Sequence, residues 1–291
     1  MSNLPPTESQ GAEIRDLERE GYDRVAATYS VLTRLGLADY RKAFIAAASI
    51  QPGQSILDVC CGPGWLTLEA AVPAGPEGRA VGVDLSPAMI DAARNNAADS
   101  ASPNVTFEVM DAESLALADA TFDRVLCSFG LMHVPDVERA ASEMGRVLRS
   151  PGRVVLTVWG TAEETPYLGL LIDSLRATAA DHLPVDPGYF LRLGPSGVLE
   201  GVLERAGFEA VSVTVIKHSI SYPGVSDGES YFDSFATTGG LFSSLLRRLP
   251  PDAVRAARAE FGRRAAAYKV GDSLSLPAAI HLAVASRRAT G

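Results

Sequence analysis

Residues 56–65 read ILDVCCGPGW, an apolar strand pattern that runs into a glycine-rich turn. A strand, such a turn and a helix form the phosphate-binding unit of dinucleotide-binding folds, in which an acidic residue follows the turn by about twenty residues, as Asp84 does here. Asp58, however, places a carboxylate beside the position of a pyrophosphate, and Pro63 removes one N–H donor. The stretch therefore favours a ligand that carries an adenosine and a cationic centre but no phosphates.

The segments on either side of this stretch alternate between strand and helix patterns. From about residue 54 to residue 160, apolar runs are separated by amphipathic segments of helical spacing. This alternation predicts a parallel sheet with crossover helices. Further along, the pattern predicts a largely helical stretch at about 228–269 and a final strand within 280–288, and no linker or repeat divides the chain.

Composition and charge exclude several classes of function. The chain has 291 residues, of which 47% are hydrophobic, and a formal net charge of −9, which argues against general affinity for nucleic acid or anionic membranes. No apolar run approaches the ~20 residues of a membrane span, and the polar first ten residues are unlike a secretory signal. We expect a cytoplasmic protein that acts on small molecules. The three cysteines are expected to be small buried residues, and the four scattered histidines predict no metal site.

Several motifs in a fixed order make the chain resemble the class I S-adenosylmethionine-dependent methyltransferases. LDVCCGPG at 57–64 is similar to their acid-x-Gly-x-Gly-x-Gly signature, with Cys60 in place of the first glycine. VGVDLSPAMIDAAR at 81–94 resembles their second segment, and 109–136 resembles their third and fourth strands with the ligand-facing ends. The resemblance covers roughly residues 55–160 and points to the ubiquinone/menaquinone-biosynthesis methyltransferase-like branch, whose members also methylate many small natural products.

The resemblance implies a Rossmann-like α/β fold with a seven-stranded, mostly parallel sheet in the order 3-2-1-4-5-7-6. Strand seven would be antiparallel, helices would cover both faces, and a helical cap would lie between strands six and seven. We expect a single domain of five parts: an N-terminal helical lid (1–50), the cofactor-binding core (51–160), connecting helices with strand six (161–218), the cap insertion (219–277), and the final strand and tail (278–291).

The cofactor implied by the resemblance is S-adenosylmethionine. Gly62 and Gly64 would let the backbone approach its methionine portion, Asp58 would sit beneath its ammonium, directly or through water, and Asp84 would accept hydrogen bonds from both ribose hydroxyls. The other implied cofactor contacts are those of Leu85 and Met89 with the adenine, of Asp111 and Ala112 with its amine and ring nitrogen, and of Ser128 with the amino group.

An alternative role stays open for two of these cofactor residues. Asp58 and Asp111 are also what a helix cap or a turn requires at a strand end. Cys60 departs from the family pattern and tightens the space in the loop, for which we expect a modest local adjustment.

Methyl transfer is an in-line displacement, so positioning the acceptor and excluding water supply much of the rate. A base is needed only when the acceptor has a proton to lose. His133, which follows strand four, is the best candidate base because imidazole titrates near neutral pH. Its alternative role is to hydrogen-bond the next helix or to shape the pocket.

The acceptor pocket is expected to be apolar and enclosed by the N-terminal helices, the 161–193 excursion and the cap. Its predicted lining is Tyr22, Tyr29, His133, Trp159, Phe232, Phe235 and Phe242, with a flexible joint at Gly239-Gly240. For the cap aromatics, a dimer interface or an extra core layer is the alternative, and a homodimer stays open.

The predicted function is methylation of an oxygen or carbon, with nitrogen less favoured, of a small hydrophobic metabolite such as a natural product or a quinone. The alternative is a protein of the same fold that binds the cofactor without methylating, either catalysing a cyclisation or acting as a ligand-binding partner. The acidity of the chain argues against nucleic acid as the acceptor.

Overall fold

The computed structural model describes residues 7–36, 38–100, 104–222 and 224–288. The strands are Ser55–Val59 (β1), Arg79–Asp84 (β2), Val105–Val109 (β3), Phe122–Ser128 (β4), Leu148–Trp159 (β5), Phe208–Ile220 (β6), Lys269–Val270 (β7), Ser273–Leu274 (β8) and Leu276–Arg287 (β9). Seven of them form one sheet in the order β3-β2-β1-β4-β5-β9-β6, while β7 and β8 form a small hairpin. The predicted strand order is confirmed, with β9 as the seventh strand of the sheet.

Ten α-helices surround this sheet in the described part of the chain. They are Glu8–Gly36 (α1), Ala38–Ala48 (α2), Trp65–Ala74 (α3), Pro87–Ser100 (α4), Val137–Val147 (α5), Pro166–Ala179 (α6), Val198–Arg205 (α7), Gly228–Thr238 (α8), Gly240–Arg248 (α9) and Pro251–Ala265 (α10). Short 3₁₀ turns occur at Leu131–His133, Ala180–His182, Pro187–Leu191 and Ala266–Tyr268. Among the helices described, none is long and apolar enough to cross a membrane.

The central strand β1 positions the glycine-rich turn. Its residues from Ile56 to Val59 are buried, because helices cover both faces of a parallel sheet. β1 pairs in parallel with β2 on one side and with β4 on the other. The strand order therefore reverses between β1 and β4, and the crevice beyond the carboxyl ends of these strands is where open α/β sheets bind their ligands.

The long helix α1 closes this crevice from above and packs on α4, α8 and α9. The Asp23 carboxylate accepts hydrogen bonds from the Ser86 hydroxyl at 2.5 Å and the Ala88 N–H at 3.3 Å, so α1 caps the amino end of α4. The Trp65 indole N–H donates to the Ser30 carbonyl at 2.9 Å, which attaches the other end of α1 to α3.

The contact between α1 and α9 depends on two glycines. A Cβ on Gly21 would overlap the carbonyl oxygen of Gly240, and a Cβ on Gly240 would lie 2.5 Å from the ring of Tyr22. Gly240 was predicted to be part of a flexible joint. In the structure it is buried, and it allows α9 to approach α1 closely.

Candidate active site

A cavity lies at the carboxyl ends of β1, β2 and β4, beneath α1. The residues of the prediction that line it are Tyr22, Tyr29, Cys60, Gly62, Asp84, Leu85, Met89, Asp111, Ala112, Ser128 and His133. They come from separate parts of the chain, and the parallel sheet brings them to one edge. The cavity is not lined by the other predicted residues, which are Asp58, Gly64, Trp159, Phe232, Phe235 and Phe242.

Asp84 presents its carboxylate to the cavity at the end of β2. One oxygen accepts the Gly62 N–H and the other accepts the Ser86 N–H, each at 2.9 Å. Burial raises the pKa of this carboxyl above its usual range. Each carboxylate oxygen has a second lone pair, so both can still accept a hydrogen bond from a diol such as a ribose.

Asp58 lies beneath the glycine-rich turn and does not line the cavity. Its Oδ2 accepts a hydrogen bond from the Thr67 hydroxyl at 2.6 Å, while its buried Oδ1 has no partner among the residues that the structure describes. Burial raises the pKa of Asp58 to about 7. An orphaned buried carboxylate oxygen is unfavourable unless a ligand or a water satisfies it, so the site fits a cationic ligand such as an ammonium.

The turn itself contains three left-handed residues, Cys60, Gly62 and Gly64, with φ of 58°, 53° and 80°. Gly64 does not line the cavity. A Cβ there would lie 2.7 Å from the Phe107 ring, so this glycine is required by packing as well as by its backbone conformation. Cys60 fits because the facing residue is Gly130, whose hydrogen leaves room for the thiol.

At the other end of the cavity, apolar side chains meet an acidic turn. Leu85 and Met89 line the wall, and the Asp111 carboxylate lies 3.0 Å from Nε of Arg15 on α1. The second oxygen of Asp111 accepts the Glu113 N–H at 2.9 Å, which is the turn-capping interaction. Asp111 therefore makes the structural contact of its alternative role and also lines the cavity.

His133 is held between two side chains of α1. Its Nδ1 lies 2.7 Å from Oε1 of Glu18, and its Nε2 lies 3.1 Å from the Tyr22 hydroxyl. The ring of Tyr29 packs edge-on against Tyr22, with centroids 5.4 Å apart. Burial raises the pKa of Tyr22 well above its usual value, and that of Tyr29 to about 12, so both remain neutral phenols.

The backbone around His133 is fixed by a buried arginine. The Arg192 guanidinium donates to the carbonyls of Met132 and Val134, on either side of His133. Tyr189 donates its hydroxyl to the Val134 carbonyl at 3.1 Å and packs against the Arg192 guanidinium. The turn that carries His133 is therefore rigidly positioned.

The predicted aromatic lining of the acceptor pocket lies one layer further out. Trp159 stacks on Phe129, which lines the cavity, with ring centroids 4.2 Å apart. The cap phenylalanines pack on other rings in the interior: Phe232 and Phe235 on Phe261, and Phe242 on Phe190. The prediction that Trp159, Phe232, Phe235 and Phe242 line the pocket differs from the observed cavity, because Phe129 lies against Trp159 and the cap phenylalanines pack on other rings.

Three charged residues of α1 in the cavity wall were missed from the sequence. Arg15, Glu18 and Arg19 precede Tyr22 by seven, four and three residues, so they lie on the same face of the helix. That spacing is the signal that could have found them once Tyr22 was taken as a pocket residue.

Comparisons with known proteins agree with this geometry. Residues 56–152 match the family model described as a methyltransferase domain. Demethylmenaquinone methyltransferase of Symbiobacterium thermophilum is 34% identical over 47% of this chain, and the match spans 57% of that relative, little more than half its length. Ubiquinone/menaquinone biosynthesis C-methyltransferase UbiE of Methylobacterium nodulans is 27% identical over 76% of this chain and 92% of its own.

A solved structure with the same fold is phosphoethanolamine N-methyltransferase 2 of Haemonchus contortus in complex with S-adenosyl-L-methionine. It superimposes with a TM-score of 0.60 at 18% identity and covers 95% of this chain and 60% of its own. Residues 56–152 are thus similar to a methyltransferase domain, and the chain has relatives in the ubiquinone/menaquinone-biosynthesis branch. S-adenosylmethionine is accordingly the cofactor that a methyltransferase domain implies.

Proposed function

We propose that this protein transfers a methyl group from S-adenosylmethionine to an oxygen or carbon of a small hydrophobic metabolite, such as a natural product or a quinone-like ring, with nitrogen less favoured. The observation that carries the proposal is that one cavity is lined both by the strand-end carboxylate of Asp84 and by the Tyr22–His133 contact. One side binds a cofactor, and the other can orient an acceptor and take its proton.

The cofactor-facing residues have separate tasks in this proposal. When bound, S-adenosylmethionine supplies a methyl group on a sulfonium, an excellent leaving group. Asp84 binds the ribose hydroxyls, and Asp58 faces the ammonium directly or through water. Leu85 and Met89 enclose the adenine, and α1 covers the cavity and excludes water from the reacting atoms.

The acceptor-facing residues are Tyr22, Tyr29 and His133. They present two hydroxyls and one imidazole among apolar neighbours such as Phe129. This arrangement suits a flat acceptor with a single ionisable hydroxyl or acidic carbon, because such a group needs one base and an apolar surround. His133 is the group in this set with a ring nitrogen that can accept that proton.

The proposal is tested by methyl transfer and by cofactor binding in the same preparations. Wild type is incubated with isotope-labelled S-adenosylmethionine and a panel of phenols and hydroxyquinones, and mass spectrometry follows the label. Asp84→Ala should weaken S-adenosylhomocysteine binding in calorimetry by about 10- to 150-fold, the equivalent of roughly 1.5–3 kcal/mol for hydrogen bonds to a charged acceptor.

The matched control is Asp91→Ala, a neighbouring aspartate whose side chain is 73% exposed on α4. It should bind and react as wild type does. Unchanged affinity in Asp84→Ala would remove Asp84 from the ribose site. A product that forms without the label would contradict methyl transfer and favour the non-methylating alternative.

A further inference from the structure

Glu18 is a buried carboxylate that the fold places directly against the candidate base. It lies on α1, is 4% exposed, and its Oε1 is 2.7 Å from Nδ1 of His133. Its Oε2 is buried and lacks a hydrogen-bond partner within the described ranges. A carboxylate in such a position is unfavourable for the fold on its own, so a role at the site explains it better than stability does.

The hydrogen-bond pattern specifies which nitrogen of His133 carries the proton. A carboxylate only accepts hydrogen bonds, so Nδ1 must donate to Glu18. In the neutral ring Nε2 is then left with its lone pair, and the Tyr22 hydroxyl at 3.1 Å donates to it. The lone pair therefore points toward the cavity-lining phenol, where an acceptor can reach it.

We propose that Glu18 is the positioning residue of His133: it holds the ring in the Nδ1–H form and stabilises the imidazolium that forms during methyl transfer. The inference rests on the proposed function. As the acceptor oxygen takes the methyl group, its O–H bond breaks and the proton moves to Nε2, directly or through the Tyr22 hydroxyl, while the sulfonium becomes a neutral thioether. The positive charge lost at sulfur thus reappears on a ring already paired with a carboxylate.

The neighbouring charges are compatible with this role. The ionisable groups near the Glu18–His133 pair are Tyr22, Tyr29, Arg15 and Arg19 on α1, Asp84 at the end of β2, and Tyr189 and Arg192 near the 187–191 turn. Arg192 has a structural role, since it donates hydrogen bonds to the carbonyls of Met132 and Val134. Glu18 is the carboxylate with a direct hydrogen bond to the ring.

The tautomer can be measured without any reaction. Long-range proton–nitrogen NMR of labelled protein at pH 8 should show the neutral His133 ring as Nδ1–H in wild type. In Glu18→Ala the Nε2–H form should become populated, and Glu18→Met, which nearly keeps the side-chain volume but has no oxygen to accept the hydrogen bond, covers the case in which the alanine variant does not fold. Finding Nε2–H in wild type, or an unchanged Nδ1–H form in both variants, would overturn the proposal.

The kinetic test separates positioning from a merely structural role. Glu18→Gln should lower kcat by roughly 10- to 100-fold and move the acidic limb of the pH–rate profile to lower pH, with the cofactor KM within about twofold. In a His133→Ala background the same substitution should have little further effect, because Glu18 acts through the ring. Fully additive losses would contradict the proposal.

The matched control is Glu20→Gln, two residues along the same helix, where the side chain is 46% exposed and pairs with Arg248. It should leave kcat, the pH profile and the tautomer unchanged. If wild type transfers no methyl group to any acceptor while the Nδ1–H form depends on Glu18, the proposed function fails and the positioning role stands. If instead labelled product forms and the tautomer does not depend on Glu18, the proposed function stands and the positioning role fails.

Discussion

At the scale of single residues, two carboxylates near the glycine-rich turn differ in how their oxygens are paired by hydrogen bonds. Asp84 has both oxygens anchored by backbone N–H groups and still faces the cavity. Asp58 is anchored through one oxygen and lies behind the turn with the other unpaired. The oxygens of Asp84 can still accept hydrogen bonds from hydroxyl groups in the cavity, whereas the unpaired oxygen of Asp58 makes its ionised form unfavourable unless a cationic ligand pairs with it.

Asp58 should make the stability of the unliganded protein depend on pH. Burial raises its pKa in the folded state from 3.8 to about 7, so between these values the folded protein keeps a proton that the unfolded chain has released. The free energy of unfolding must then fall as pH rises from about 4 to about 7, and level off above. Asp58→Asn, which keeps the shape, should remove this contribution and be more stable than wild type at pH 8 by on the order of 2–4 kcal/mol.

Denaturant unfolding of both proteins at pH 4.5 and pH 8 measures the difference, and other titrating groups cancel in the comparison. S-adenosylhomocysteine gives a second readout: at pH 6 its ammonium should displace the Asp58 proton, so calorimetry in two buffers should detect proton release in wild type alone. Equal stability of the two proteins at pH 8 would mean that Asp58 ionises freely within the fold.

Cys60 shows where residue-level prediction from sequence ends. The motif correctly located the turn, because the order of strand, acid and glycines is local information. The expectation that Cys60 tightens the loop left out Gly130, which lies 70 residues away and comes opposite only when β4 pairs beside β1. A left-handed residue other than glycine costs about 1–2 kcal/mol, so the loop retains some strain even with that space.

At the scale of elements, α1 provides more of the site than the glycine-rich turn does on the acceptor side. It contributes Arg15, Glu18, Tyr22 and Tyr29 to one cavity wall. The parallel strands were predictable because their apolar runs are continuous and their order follows the family. The orientation of the cap helices could not be predicted in the same way. The aromatic side chains of α8 and α9 can turn toward the cavity or toward α10, and only packing decides between these two orientations.

The glycine contact between α1 and α9 should be essential for placing Tyr22. Gly21→Ala would push its methyl group into the Gly240 carbonyl, and because the obstacle is backbone, one helix must move. We expect a loss of roughly 1–3 kcal/mol in the free energy of unfolding. We also expect a higher KM for the acceptor, since Tyr22 is the next residue of the displaced helix.

Gly201→Ala in α7 is the matched control, because the new methyl group would meet only the flexible end of Arg205. It should be neutral or stabilise the fold by about 0.5–1 kcal/mol. Chemical denaturation and steady-state kinetics check both variants. If Gly21→Ala were as stable and active as the control, the close approach of α1 and α9 would be unimportant for the site.

At the scale of the whole molecule, α1 connects the cofactor end of the sheet with the cap helices. On one side it caps α4 through Asp23 and bonds to Asp111 through Arg15, both at the cofactor end. On the other it packs on α8 and α9 of the cap, and the Ser244 hydroxyl of α9 donates to the Leu17 carbonyl at 2.8 Å. A cofactor that binds beneath α1 should therefore also stabilise the cap.

Hydrogen exchange measures this coupling directly. S-adenosylhomocysteine should slow amide exchange in α1 and also in Gly240–Arg248, although no residue of that helix lines the cavity. A stabilisation of about 1–3 kcal/mol transmitted through packed helices corresponds to exchange slower by roughly 5- to 150-fold. The edge strand β6 should not change. In Gly21→Ala the protection of α1 should remain while that of α9 is lost, because the contact that joins them is the one disturbed. Protection of α1 alone in wild type would show that the packing of α1 on α9 does not carry the effect of cofactor binding to the cap.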